Sequence, residues 1–190
     1  MLELPVMFAS FYGLRRSEIV GLKWSSINFE NDTITITHTV TACTINGKLI
    51  EVEQETTKTK SSRRTLPLVP FFKEKLLALR EEQAENRQLC GNSYDLRFLD
   101  YVCVDALGER IKVNYVTSSF PLMLKRHNMR RIRFHDLRHS CASLMLANGV
   151  SMKQIQEWGS VTATSPQRQI YTHISITVQK SRQPTQSPRV

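Results

Sequence analysis

No stretch of this 190-residue chain is apolar over anything near the thickness of a bilayer. Its opening, Met1-Leu2-Glu3-Leu4-Pro5, has neither the basic start nor the small-residue cleavage site of a secretory signal. Those two absences point away from a membrane-spanning or exported protein and toward a soluble one of the cytoplasm. Cysteine is scarce, and Cys43, Cys90, Cys103 and Cys141 show no C-x-x-C spacing. Neither a zinc ribbon nor a disulfide framework is indicated, and reduced thiols are the expectation. No internal repeat is visible, which removes the solenoid folds. Carboxylates are in short supply: 17 Asp and Glu face 26 Lys and Arg, a net charge of +9. A polyanionic partner is favoured, although charge alone fits RNA, DNA and an acidic membrane equally well.

What is present suffices for one hydrophobic core and not for two full domains, at 41% hydrophobic residues. From Leu4 to Tyr12 the apolar residues Val6, Met7, Phe8, Phe11 and Tyr12 fall at helical spacing, with Gly13 as a stop. A second helix is expected from Ser17 to Leu22. Thr33 to Thr41 alternates and is rich in β-branched residues, Asn46-Gly47 is a hairpin turn signal, and Lys48 to Glu55 returns as a strand. A third strand is expected from Arg63 to Val69. Pro70 then precedes a long helix, Phe71 to Arg87, with Phe72, Leu76, Leu77 and Leu79 facing inward. Further helices are read at Val113 to His127 and His135 to Asn148, the latter closed by Gly149. A short one follows, with Ser151 as N-cap, through Trp158. The expected class is α+β, mainly helical, with a small three-stranded antiparallel sheet inserted after the first two helices. After Ile176 the composition turns to Gln, Ser, Pro, Thr and Arg, so 175–190 reads as a polar, disordered tail.

Several short motifs carry residues suited to phosphate chemistry. Gly13-Leu14-Arg15-Arg16-Ser17-Glu18 offers a guanidinium just after a sharp turn, with Glu18 three residues on and on the same helical face. Thr57-Lys58-Thr59-Lys60-Ser61-Ser62-Arg63-Arg64 is a basic connection ahead of a strand. In His135-Asp136-Leu137-Arg138-His139 an imidazole and a guanidinium stand three apart on one helix, so both can meet one phosphate. Ile170-Tyr171-Thr172-His173 closes the set. Taken singly, each has a plainer explanation: a surface ion pair at a helix start, a solvated basic turn, a packed aromatic. His135 and His139 also stand four apart like the histidines of a zinc site, but Asp136 replaces the needed glutamate, Arg138 would repel the ion, and no third ligand stands out. No metal is expected.

In this order, the motifs resemble the catalytic domain of the tyrosine recombinase (phage integrase) family, over roughly residues 2 to 174. The resemblance implies cleavage and rejoining of DNA strands through a 3′-phosphotyrosyl intermediate, with Tyr171 as nucleophile and with neither ATP nor metal nor other cofactor. It assigns Arg15 and Arg138 as the cations that fork onto the scissile phosphate. Lys58 is the general acid that protonates the leaving 5′ oxygen, with Lys60 a close rival. His135 assists proton transfer, and Glu18 supports Arg15. Lys60, Arg63, Lys125, Arg126, Arg130, Arg131 and Arg133 suit contacts to the DNA backbone. Double-stranded DNA is the implied partner, with a tetramer on DNA and a monomer alone. Residues 1–174 are then a catalytic domain without the family's N-terminal core-binding domain.

One motif departs from the family. A histidine or tryptophan that hydrogen-bonds the phosphate is expected about ten residues before the tyrosine. That count arrives at Glu157-Trp158-Gly159-Ser160-Val161-Thr162, where Ser160 or Val161 stands in its place. Trp158 is too early and is expected to be core. Two other readings stay open: a non-catalytic DNA-binding remnant or regulator, and an enzyme like the type IB topoisomerases that acts on a single duplex.

Overall fold

A computed structural model describes residues 1–55 and 64–155. The order of elements is α1 (Glu3–Tyr12), α2 (Arg16–Val20), β1 (Ile27–Asn28), β2 (Thr33–Ile36), β3 (His38–Ile45), β4 (Lys48–Glu55), β5 (Arg64–Pro67), α3 (Pro70–Cys90), α4 (Val113–Arg126) and α5 (Asp136–Ala147), with 3-10 turns between some of them. The class is the expected one, mainly helical with a small antiparallel sheet.

The sheet is built differently from the expectation. The alternating run from Thr33 is not one strand: it breaks at Thr37, β2 pairing with β5 and β3 pairing with β4. The three-stranded sheet is β1-β2-β5, and β3-β4 is a separate hairpin of two strands. Alternation of burial runs unbroken through Ile34, Ile36, His38 and Val40, all buried, so the period of 2 carries no mark of where the pairing partner changes. The hairpin turn itself is as expected, with Asn46 and Gly47 both at positive φ.

α1 ends at Gly13, in the left-handed region at φ 63°, its amide donating to the Phe8 carbonyl. α3 begins at Pro70 itself, the first helical position, where the missing N–H costs nothing. Its inward stripe is Phe72 and Leu76 with Leu79 partly buried, and Leu77 is 39% exposed instead of facing inward. Leu77 stands five residues from Phe72, about 140° around the helix from it, whereas Leu76 and Leu79 continue the i, i+4, i+7 stripe. Phe72 meets the rings of Phe8, Phe11 and Tyr12 at 5.3, 5.7 and 4.8 Å. The Tyr12 hydroxyl donates to the Pro67 carbonyl at 3.0 Å and accepts from the Val69 amide at 3.1 Å, tying α1 to the end of β5.

α5 terminates in a complete Schellman motif. The Val150 amide bonds the Met145 carbonyl and the Gly149 amide bonds the Leu146 carbonyl, each at 3.0 Å, with Gly149 at φ 82°. Met145 and Val150 are both buried, so the motif also brings its usual apolar contact. α1 packs along α5, and this contact between the two ends of the described chain positions the site.

Candidate active site

The reversal at Gly13 sends the chain from α1 into α2 and leaves Arg15 in extended conformation ahead of the first turn. Glu18 reaches back to that turn. Its Oε2 accepts the Arg15 amide at 2.8 Å and its Oε1 accepts Arg15 Nη1 at 2.9 Å. The carboxylate caps the open N-terminus of α2 and bonds the arginine at the same time. The Glu18 side chain is only 5% exposed, while that of Arg15 is 55% exposed and directed outward.

A third residue completes this cluster, and the motif reading left it out of the site. Arg64, at the start of β5 and 2% exposed, donates Nη1 to Glu18 Oε1 at 2.9 Å and Nη2 to Oε2 at 2.7 Å. Its Nε has no hydrogen-bond partner among the described residues. Burial alone would push the Glu18 carboxyl up. The Arg64 hydrogen bonds and charge, with the Arg15 amide, outweigh it and hold the carboxyl below its ordinary value. A sequence signal for Arg64 does exist: Arg64, Leu66 and Leu68 stand two apart and all three are buried, so period 2 places the guanidinium on the inner face.

Arg138 arrives from α5, far along the chain. It lies in the first turn of α5, with its amide bonded to the His135 carbonyl at 3.2 Å, and its Nη1 donates to the Gly13 carbonyl at 2.5 Å. A Cβ on Gly13 would sit 3.6 Å from Arg138 Cγ and from Cys141 Sγ. Burial lowers the Arg138 pKa and the neighbouring Arg15 charge lowers it further, with Glu18 opposing. Two guanidinium groups 123 residues apart in sequence thus come near a carboxylate that a third has already neutralised.

His135 stands just ahead of α5 as its N-cap residue and is exposed. Its ring meets that of His139 edge-on at 5.3 Å, so His139 is the neighbour of His135 on an exposed face. No group of three His, Cys, Asp or Glu side chains suited to a metal occurs among the described residues. Lys125 and Arg126 occupy the last turn of α4, and Arg130, Arg131 and Arg133 follow on the connection to α5, all exposed. Among the described residues, Arg133 is the one of these held by a carboxylate, pairing with Asp136 at 2.9 Å. Cys103 and Cys141 are buried thiols, each pushed up to about 12 by burial, Cys141 against the charge of Arg138. Lys58, Lys60, Arg63, Trp158, Ser160, Val161 and Tyr171 lie outside the described residues. Of the sequence-predicted site, the structure brings together Arg15, Glu18 and Arg138, and leaves His135 beside them on the same turn as Arg138. No helix among the described residues is long and apolar enough to cross a membrane.

A family model described as the phage integrase family matches residues 2–177. A tyrosine recombinase described as XerC-like, from Caldanaerobacter subterraneus subsp. tengcongensis, is 31% identical over 171 residues, covering 85% of this chain and 43% of the relative. An integrase of Staphylococcus phage L54a is 23% identical over 163 residues, covering 86% of this chain and 45% of the relative. The chain therefore spans less than half the length of either. Among solved structures, the Tn1549 transposon integrase in complex with transposon right end DNA aligns with a TM-score of 0.64 at 18% identity, over 95% of this chain and 54% of that one. The XerA recombinase aligns at 0.60 and 18% identity, over 98% of this chain and 58% of the other. At these identities the two structural likenesses speak for the fold.

Proposed function

Because this chain belongs to the phage integrase family of tyrosine recombinases, we propose that residues 1–174 are the catalytic domain of a site-specific recombinase acting on double-stranded DNA. The observation that carries the reading is the convergence of Arg15 and Arg138 from the two ends of the described chain, with Glu18 held between Arg15 and Arg64. A metal-free phosphodiester cleavage needs cations at the phosphoryl oxygens, a nucleophile and an acid for the leaving oxygen. Arg15, with its side chain 55% exposed, and Arg138 supply the first. In the proposed step the Tyr171 oxygen attacks phosphorus and a 3′-phosphotyrosyl bond forms. The bond to the 5′ oxygen breaks, and Lys58 delivers the proton to that oxygen while His135 assists proton transfer. A 5′ hydroxyl from a second duplex then reverses the step, so the phosphodiester energy is conserved. The exposed Lys125, Arg126, Arg130 and Arg131, with Lys60, Arg63 and Arg133, grip backbone phosphates. The reaction takes place on chromosomal or mobile-element DNA in the cytoplasm of a bacterium, the protein assembling as a tetramer on DNA from a monomer in solution.

Ser160 and Val161 favour a second reading, since neither supplies the hydrogen bond that the family places before its tyrosine. In that reading the chain binds DNA without cleaving it. A nicked duplex that traps cleavage separates the two. The recombinase reading expects a covalent protein–DNA adduct, abolished by Tyr171→Phe with duplex affinity nearly unchanged, because the hydroxyl is the nucleophile and adds little to ground-state binding. Salt-sensitive duplex binding with no adduct supports the DNA-binding remnant. An adduct that survives Tyr171→Phe and maps elsewhere overturns the assignment.

A further inference from the structure

We infer that Arg64 is a positioning residue for Arg15: by occupying both oxygens of Glu18 it leaves Arg15 attached by a single nitrogen and its fork available to a phosphate. The inference deepens the proposed function and rests on it. The acceptor capacity of Glu18 decides the matter. An ionised carboxylate has about four lone-pair sites, and here all are in use. Oε1 takes Arg15 Nη1 and Arg64 Nη1, and Oε2 takes Arg64 Nη2 and the Arg15 amide. With Arg64 in place, Arg15 has no second site to claim on this carboxylate. Without Arg64, the two vacated sites are within reach of the Arg15 guanidinium, and a carboxylate 5% exposed draws an adjacent arginine into a bidentate fork. That fork is the same edge that a phosphate would use.

Charge points the same way. The charges of Arg15 and Arg64 both act on Arg138 and on Glu18, the carboxylate that the two of them bond. Arg64 is 2% exposed and cannot itself meet DNA. It neutralises Glu18 from the inside, so that the positive charge of Arg15 is left for an anion arriving from outside. A residue whose only service was to stabilise the fold would not need to meet the carboxylate that already caps α2 and touches the exposed arginine.

The test uses the full chain and two readouts, the rate of covalent adduct formation on a nicked duplex and the dependence of duplex affinity on salt. Arg64→Met is expected to slow the adduct by roughly 100-fold, the loss typical of one misplaced oxyanion donor. It should also reduce the slope of log affinity against log salt by about 0.9, one phosphate contact. Adding Glu18→Gln to Arg64→Met removes the charge that captures Arg15 and should recover about 10-fold of the rate, with salt slope returning toward that of the unmodified chain. Arg64→Lys covers the case in which Arg64→Met does not fold, since a point charge holds one oxygen where the fork holds two. It should be roughly 10-fold slow. Thermal melts confirm that each variant compared is folded. A folded Arg64 variant with unchanged rate and unchanged salt slope overturns the inference, whether or not the chain cleaves efficiently. An unmodified chain that binds duplex DNA without salt dependence overturns the functional reading instead.

Discussion

Arg64 and Arg110 are both almost fully buried, at 2% and 6% exposure, both engage carboxylates through Nη1 and Nη2, and both leave Nε without a partner among the described residues. Their surroundings differ in sign. Arg110 faces Glu51 and Glu53 of β4 and lies against the edge-on pair of Phe98 and Tyr101, its guanidinium carbon 5.1 and 4.9 Å from their ring centroids. Glu55 continues that face of the strand and is met by His38 Nδ1 at 2.9 Å and by Lys23 at 3.5 Å, while His38 Nε2 bonds the Tyr101 hydroxyl at 2.9 Å. Glu51 also accepts the Val113 amide at 2.9 Å, capping α4. In the hairpin cluster acids and bases answer one another, whereas two guanidinium groups share the Glu18 carboxylate and a third, that of Arg138, lies within its electrostatic reach. A buried arginine is therefore no mark of a site in this fold. The mark is a surplus of cation with one fork left outside.

If that contrast is sound, removing the shared carboxylate should do the most damage. Glu18→Ala leaves Arg64 buried without its partner and should cost about 3 to 5 kcal/mol, measured by urea unfolding. Gly21→Ala attacks the junction between the two clusters. A Cβ there would lie 2.8 Å from Thr39 Cα and 2.9 Å from the His38 carbonyl, so α2 and β3 must part, at about 1 to 3 kcal/mol. Arg110→Met should cost less, about 1 to 2 kcal/mol, because Glu51 and Glu53 are 22% and 45% exposed and can rehydrate. Adduct formation should be untouched by it. The smallest effect is expected in acid. Burial would raise Glu18 and Glu53, yet their arginine partners, with Tyr101 for Glu53, hold both below 4.5 in the folded chain. Their stabilising contribution is complete above pH 4.5 and is lost as pH falls through the folded values. Glu18→Gln should flatten the acid limb of a stability-against-pH curve more than Glu53→Gln, whose side chain is half in water. Equal flattening would dissolve the distinction between the clusters.

Most of the architecture is written locally, which is why it was legible. α1 and α3 follow from apolar residues at i, i+3 and i+4, and the hairpin from Asn46-Gly47. The split of the sheet at Thr37 is not local, since Thr33 to Thr41 satisfies a strand pattern throughout and only the partners, β5 and then β4, distinguish its halves. The site divides in the same manner. Arg15 with Glu18, and Arg138 with His135, are neighbours in sequence and can be paired on paper by helical spacing. Arg64 stands 46 residues from Glu18, inside a run of basic residues that reads as solvated, and only its period-2 relation to Leu66 and Leu68 hints that it points inward.

The hydrogen bond from Arg138 to the Gly13 carbonyl joins residues 125 apart. During synthesis at about 5 to 20 residues per second, Gly13 leads Arg138 by roughly 6 to 25 s. By the later part of that interval the nascent chain holds α1, α2 and the hairpin but still only one of the two guanidinium groups attributed to the phosphate. Closing so long a loop is slow relative to forming any of the helices. A ribosome-tethered chain halted before α5 emerges should bind duplex DNA more weakly than the released protein, and competence for DNA should appear as a late, single step in refolding.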